Sequence, residues 1–182
     1  MKIKWEAPIK DPNNPDEVMK VKWDAIAKVL LSENLDQKTK EKVINTIIGP
    51  LFDFNLMGKL TLGRNHWPKL SKPQSEKFIK LFVVRLKDSY RNKISSYKNE
   101  KVAFKPAVKD EKSARILMTI FSEDKKFSIL YKFRRTDKSW KIYDMEIEGV
   151  SVILTYRSQF NDILSHGSVE DFLRQLEKKP VS

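Results

Sequence analysis

Apolar positions recur along the chain with two different periods, and the change between them organises everything else. Up to about Tyr97 they fall at helical spacing, from Lys101 to Ile147 they alternate, and after Gly149 helical spacing returns. An extended lead-in ends at Asp11-Pro12-Asn13-Asn14-Pro15, where two prolines and two asparagines keep a helix from starting earlier. Asn14 can then cap a helix, Pro15 suits its first turn and Glu17 sits at the capping-box position. Met19, Trp23, Ile26 and Leu30 give that helix an apolar face, and it is expected to end near Asn34. A second helix, capped by Asp36 and carrying Val43, Ile44, Ile47 and Ile48, stops at Gly49-Pro50. A short, very apolar helix is expected from Leu51 to Gly63. The longest helix opens at Ser71 or Pro73 and runs to about Tyr97. On it Phe78, Ile79, Phe82, Val83, Leu86, Tyr90, Ile94 and Tyr97 share one arc, while Lys77, Lys80, Lys87, Arg91 and Lys98 share another.

The alternating segment predicts four strands. They are marked by Val102, Phe104 and Val108, by Ile116, Met118 and Ile120, by Phe127, Ile129, Tyr131 and Phe133, and by Tyr143, Met145 and Ile147. The connectors Asp110-Glu111-Lys112, Glu123-Asp124 and Asp137-Lys138 are short and polar, so consecutive hairpins and an antiparallel sheet follow, apolar on one face. Two helices finish the chain. One holds Tyr156, Phe160, Ile163 and Leu164 and ends at His166-Gly167; the other is capped by Ser168, with Asp171 three residues on, and presents Val169, Phe172, Leu173 and Leu176. Helices, a meander and helices again make an α+β fold with helices packed over one face of a four-stranded antiparallel sheet. The expected layout is a lead-in over 1–15 and one domain over 16–178.

Composition narrows the possible partners. The chain of 182 residues has 36 Lys plus Arg against 24 Asp plus Glu, a net charge of +12, so its surface tolerates or seeks anions. Between Lys69 and Lys105 there are 11 basic and 3 acidic residues, a local +8, which reads equally as a solvated helix face or as a docking surface for something anionic. A basic nucleic-acid-binding module is the alternative reading of this charge. Against it, no aromatic-rich RNA-recognition pattern and no helix-turn-helix stand out, and the lysines are spread over every element. The absence of Cys excludes a disulfide scaffold, thiolate chemistry and Cys-based metal sites. No apolar run has the length of a membrane span, and no secretory leader is visible at the start.

Candidate catalytic chemistry is thin. His66 and His166 lie far apart, each with a plain explanation in a polar turn or at a helix C-terminus. Gly58-Lys59-Leu60-Thr61-Leu62-Gly63 has part of a phosphate-loop spacing, but Arg64-Asn65 stands where Lys-Ser/Thr is needed. Asp53 and Asp144 sit among large apolar residues, and the expected role of each is structural, as an acceptor of backbone N–H bonds. What the chain has in excess is large, soft apolar side chains, among them Met57, Phe78, Phe82, Met118, Phe127, Tyr131, Met145 and Phe160. They read either as an aromatic core or as the lining of a ligand pocket.

Two blocks change the weighing of these readings. Phe52-Asp53-Phe54-x-x-Met57-x-x-x-x-Leu62-Gly63-x-x-x-Trp67 resembles the hallmark of the MlaC family, also described as toluene-tolerance auxiliary proteins. Tyr143-Asp144-Met145-x-Ile147-Glu148-Gly149-Val150-Ser151, followed by Tyr156-Arg157-Ser158-Gln159-Phe160, is similar to that family's strand-to-helix segment. The resemblance implies a cone-like α+β fold, related to cystatin-like and nuclear-transport-factor-like domains, with an internal apolar cavity that holds phospholipid acyl chains between sheet and helices. It implies a periplasmic carrier, its signal peptide removed, that shuttles glycerophospholipid between an outer-membrane lipoprotein complex and an inner-membrane ABC transporter. It further implies transient contact with membrane surfaces, no cofactor other than the lipid cargo, no metal, no nucleic acid and no enzymatic activity.

Carried onto this chain, the lining would comprise Phe52, Phe54, Met57, Leu60 and Trp67 from the first block and Phe78, Phe82, Leu86 and Tyr90 from the long helix. The strands would add Met118, Ile129, Tyr131, Tyr143, Met145 and Ile147, and the segment after them Val152, Tyr156 and Phe160. Arg157 is the candidate headgroup ligand.

Overall fold

The computed structural model describes residues 5–95, 97–122, 125–137 and 139–178, and the side chains among them other than those of 90–95. The fold is α+β and forms two compact units. One comprises the chain up to Asp53 together with Lys93–Gly149, and the other comprises Phe54–Asn92 and the chain from Val150 onward.

The first unit begins with a helical hairpin, α1 (Pro15–Leu31) and α2 (Gln37–Ile48). The Asn14 side chain accepts from the Asp16 N–H at 3.2 Å and Asp36 accepts from the Thr39 N–H at 2.8 Å, so both caps named from sequence satisfy N–H groups that a helix start leaves unpaired. Glu17 departs from the capping-box expectation, because its carboxylate takes the backbone N–H groups of Lys10 and Asp11 and thereby ties the lead-in to α1. Ala25, Ile26, Val29, Ile44 and Ile47 bury one another between the two helices, with Trp5, Trp23, Leu35 and Val43 packed around them. The Trp23 ring meets Tyr97 edge-on at 5.5 Å.

The sheet of this unit contains β1 (Lys101–Phe104), β2 (Val108–Lys109), β3 (Ser113–Ser122), β4 (Lys125–Arg135) and β5 (Trp140–Ile147), all pairs antiparallel, in the order β1-β3-β4-β5 with β2 also on β3. Side-chain bonds fasten the hairpin and its lead-in to the sheet. The Trp140 indole N–H donates to the Asn13 carbonyl at 2.9 Å, and the Ala107 N–H donates to the Asp16 carboxylate at 2.7 Å.

The second unit is helical: α3 (Phe54–His66), α4 (Lys72–Ser95, to Asn92 in this unit), α5 (Val152–His166) and α6 (Val169–Glu177), with a two-residue strand β6 (Val150–Ser151) ahead of α5. Ser151 and Ser168 cap α5 and α6 by accepting from the Leu154 and Asp171 N–H groups, both at 3.1 Å. A Cβ at Gly58 would meet the end of the Ile79 side chain, so α3 and α4 pack closely there and any larger residue would require that side chain to shift. Gly63 has φ 63° and ψ −170°, a region essentially restricted to glycine, and it kinks α3 one turn before its end.

Four strands were expected and the sheet has more. Pro106 lacks the N–H that a continuous edge strand needs, so the first predicted strand is two, β1 and β2, paired with different stretches of β3. The first helix ends at Leu31 instead of near Asn34, since Ser32 turns extended and donates its N–H to the Val29 carbonyl. The short apolar helix starts at Phe54 instead of Leu51. Gly49–Leu51 form a 3-10 turn, and the Asp53 N–H donates to the Ile142 carbonyl at 2.8 Å, which holds this stretch extended beside β5. Glu123, Asp124 and Lys138 of the predicted connectors lie outside the described residues.

Candidate functional site

Direct cross-strand neighbours share a face of a sheet, so the register assigns the side chains of the first unit. One face is built from three rows: Ala114, Phe133 and Ile142; Ile116, Tyr131 and Met145; and Met118, Ile129 and Ile147, with Phe104 beside Met118. Not one member of these rows is charged. The first two rows and Met118 are buried, whereas Ile129 and Ile147, like Ile120 and Phe127 one row further, are only half-buried, so the face opens toward that end. Tyr131 is the single polar group in the rows, and burial alone pushes its phenol upward, with no cation beside it to favour the phenolate.

The opposite face carries charge, beside Leu117 and Leu130 in the row of Glu146. Arg115, Lys132 and Asp144 form one row, with Glu146 in the next. Lys132 pairs with Asp144 at 3.2 Å and also with Glu146. Partial burial works against its charge, but the bonds to the two carboxylates outweigh that and raise its pKa. Asp144 also accepts from the Met145 N–H at 2.9 Å, the backbone role expected for it from sequence, and Asp53 is held by the Arg134 guanidinium at 2.6 and 2.9 Å. Both carboxylates are engaged in structure. Tyr143 stands at the irregularity where the pairing steps from Lys132–Asp144 to Phe133–Ile142, leaving it without a register partner.

In the helical unit the predicted residues gather differently. Phe78, Phe82, Tyr156 and Phe160 pack on one another, with ring centroids 5.3 to 6.4 Å apart, and Phe172 of α6 joins them at 5.2 Å from Phe160. Phe78, Phe82 and Phe172 are fully buried, as is Met57. Leu86 and Val152 are buried nearby in sequence to this cluster, and Leu60 and Trp67 are half-buried. Phe172 was read only as part of an amphipathic helix face. Its i, i+1, i+4 spacing with Leu173 and Leu176 carried no sign that it would complete a ring cluster with α4 and α5. On the sheet, Ile116 and Phe133 share the face of the predicted lining by alternation, and Ile142 joins them through the irregular register at Tyr143. Phe52 forms a parallel bridge with Ile142, Phe54 opens α3, and the side chain of Tyr90 lies outside the described set.

Arg157, the headgroup candidate, donates from Nε and from a terminal nitrogen to the Leu60 carbonyl at 2.9 and 2.6 Å, and packs over Gly63. It thus supplies donors to the last turns of α3 just where the Gly63 kink interrupts the helix. Arg85 does the same for α6, binding the carbonyls of Gln175, Leu176 and Lys178 at 2.8, 3.3 and 3.0 Å. On the outer side of α4, Lys77 pairs with Glu177, while Lys80 and Lys87 are exposed on either side of the exposed Val84. His66 is bonded to Asn161 at 2.9 Å. His166 lies beside the Asp162 carbonyl at 2.9 Å. Among the described residues no group of three or more His, Asp or Glu is arranged to hold a metal ion, and no helix is long and apolar enough to cross a membrane.

The fold is similar to that of a solved phospholipid-binding protein from Ralstonia solanacearum, determined in complex with a phospholipid. The two superpose with a TM-score of 0.73 at 21% identity, covering 88% of this chain and 97% of that one. The family model described as MlaC protein matches residues 21–178. The chain belongs to the MlaC family. Two relatives are the toluene tolerance protein ttg2D of Pseudomonas putida, 24% identical over 123 residues, and the intermembrane phospholipid transport system binding protein MlaC of Haemophilus influenzae, 24% identical over 142. The matches take in 66% and 75% of this chain but 57% and 66% of those proteins, so the chain spans less than two thirds of the length of either.

Proposed function

We propose that this protein binds phospholipid through its acyl chains and carries it between membranes. The observation that supports the reading most is the match of one lipid-carrier family model to 158 consecutive residues, from 21 to 178, in a chain whose strands present three uncharged rows. A carrier has to compete with a bilayer. At about 0.8 kcal/mol per buried CH₂, a chain of about 16 carbons represents roughly 12 kcal/mol, so leaving part of one tail in water makes extraction unfavourable. Flexible Met118 and Met145 in adjacent rows suit tails of differing length, because an unbranched thioether repacks where a branched side chain cannot. In the helical unit, Phe54, Leu60, Trp67 and Tyr156 are half-buried members of the predicted lining set.

The finer reading is a periplasmic shuttle between outer-membrane and inner-membrane Mla complexes that leaves its cargo chemically unchanged. Both bilayer and carrier offer apolar surroundings, so transfer is close to thermoneutral and its direction is set by the partners. The exposed Lys80 and Lys87 on α4 are candidates for meeting an anionic partner or headgroup surface. Organic extraction of the purified protein followed by mass spectrometry tests the cargo. Intact glycerophospholipid is expected in near-stoichiometric amount. Protein that is free of lipid as isolated and takes none from vesicles is not a carrier.

A further inference from the structure

Tyr131 is buried to 94% and lies at the middle of β4, with Ile116 opposite it on β3 and Met145 opposite it on β5. No described residue donates to or accepts from its hydroxyl, and desolvation is the sole influence on its ionisation. Yet among the described residues no side-chain N or O atom is both sealed from solvent and without a partner. The Tyr131 oxygen, lacking a partner, is therefore not sealed and keeps some accessible surface. A phenol at such a buried position costs stability relative to phenylalanine unless something accepts its hydrogen bond.

The surroundings define the acceptor. Among the described side chains of the sheet rows around Tyr131 there is no cation and the only donor is a single neutral O–H, which disfavours an anion. The acceptor is therefore neutral. Tyr131 also lies one row inside Met118, Ile129 and Ile147, where the face becomes half-open, and one row is about 7 Å along a strand. That offset matches the span from an acyl ester carbonyl to the phosphate of the same lipid, so a phosphate in water at the open end would bring an ester to the phenol.

We propose that Tyr131 is the hydrogen-bond donor to an ester carbonyl of the bound phospholipid and thereby sets how deep the glycerol sits. Resting on the carrier reading above, this adds to it a preference for ester-linked over ether-linked cargo. Competition between diacyl and dialkyl-ether phosphatidylcholine of equal chain length, presented in mixed vesicles and read by native mass spectrometry, tests it on the intact protein. The wild type is expected to favour the diacyl lipid about five- to ten-fold, the usual effect of one hydrogen bond from a buried group. Tyr131→Phe is expected to bind both equally and to unfold at no lower temperature. Equal binding of the two lipids by the wild type overturns the Tyr131 assignment while the carrier reading stands, and this arm requires no variant. A preference that survives in Tyr131→Phe overturns it as well. Absence of both lipids from the wild type removes the carrier reading and the assignment together.

Discussion

At the scale of single residues, Arg157 separates two roles that one side chain can be asked to fill. Its guanidinium spans to the Leu60 carbonyl and covers Gly63, whose backbone admits no side chain without strain, so the kink and its cap depend on each other. A headgroup ligand would bring its charge to phosphate instead, and the remaining donors of a guanidinium permit both roles. Replacing Arg157 with Gln should cost about 1.5–3 kcal/mol of unfolding free energy in urea, as expected for losing charge-assisted bonds to a half-buried carbonyl. Unchanged stability with phospholipid retention lost would instead give Arg157 to the headgroup. Nothing in the sequence near Arg157 announces Leu60 as its partner, since the two lie 97 residues apart. Local signals were legible for the opposite reason. Asn14, Asp36 and Ser168 each bond an N–H two or three residues ahead, a reach that spacing alone describes.

At the scale of elements, periodicity placed every helix and the order of the strands, and it failed where a long-range contact competes with local preference. Leu51-Phe52-Asp53 has helical composition, but Leu51 closes a 3-10 turn and pairing with Ile142 draws out Phe52 and Asp53, which delays α3 to Phe54. The division of strands at Pro106 was available in principle, from the missing N–H, and was masked by the alternation of Val102, Phe104 and Val108 across it. The lining set was legible as a collection of soft apolar residues. Its separation into a sheet face and a ring cluster was not, because register and helix packing are tertiary facts. The ring cluster makes α6 integral to the helical unit. Phe172 contacts Phe78 and Phe160 and is fully buried, while Arg85 holds the helix from its other end. Phe172→Ala should therefore lower the unfolding free energy by about 3–5 kcal/mol, measured by chemical denaturation, as a large cavity in a well-packed core does. A loss under 1 kcal/mol would mean that α6 is not held by this contact.

At the scale of the whole molecule, the charge of +12 and the uncharged strand face belong to different jobs. Arg85, Arg134, Arg157, Lys77 and Lys132 are among the cations that bind carbonyls or carboxylates of this chain, whereas Lys80 and Lys87 are exposed and are the candidates for an anionic partner. On the carrier reading, the half-buried end of the uncharged face, at Ile129, Ile147, Ile120 and Phe127, gains stability when hydrocarbon covers it. Cargo should then behave as a thermodynamic part of the native state, because the unfolded chain has no register to assemble these rows and so no comparable affinity. A ligand present at about one hundred times its dissociation constant adds about 2.7 kcal/mol to the native state. In a chain of 182 residues each kcal/mol moves the unfolding midpoint by about 2–4 °C, so protein stripped of lipid should melt about 5–10 °C below protein as isolated. Returning phospholipid from vesicles should restore the original midpoint, whereas returning a headgroup analogue without tails should not, since the stabilisation comes from hydrocarbon burial. Equal midpoints before and after stripping, with lipid removal verified by mass spectrometry, would mean that the face is already satisfied by the chain's own side chains.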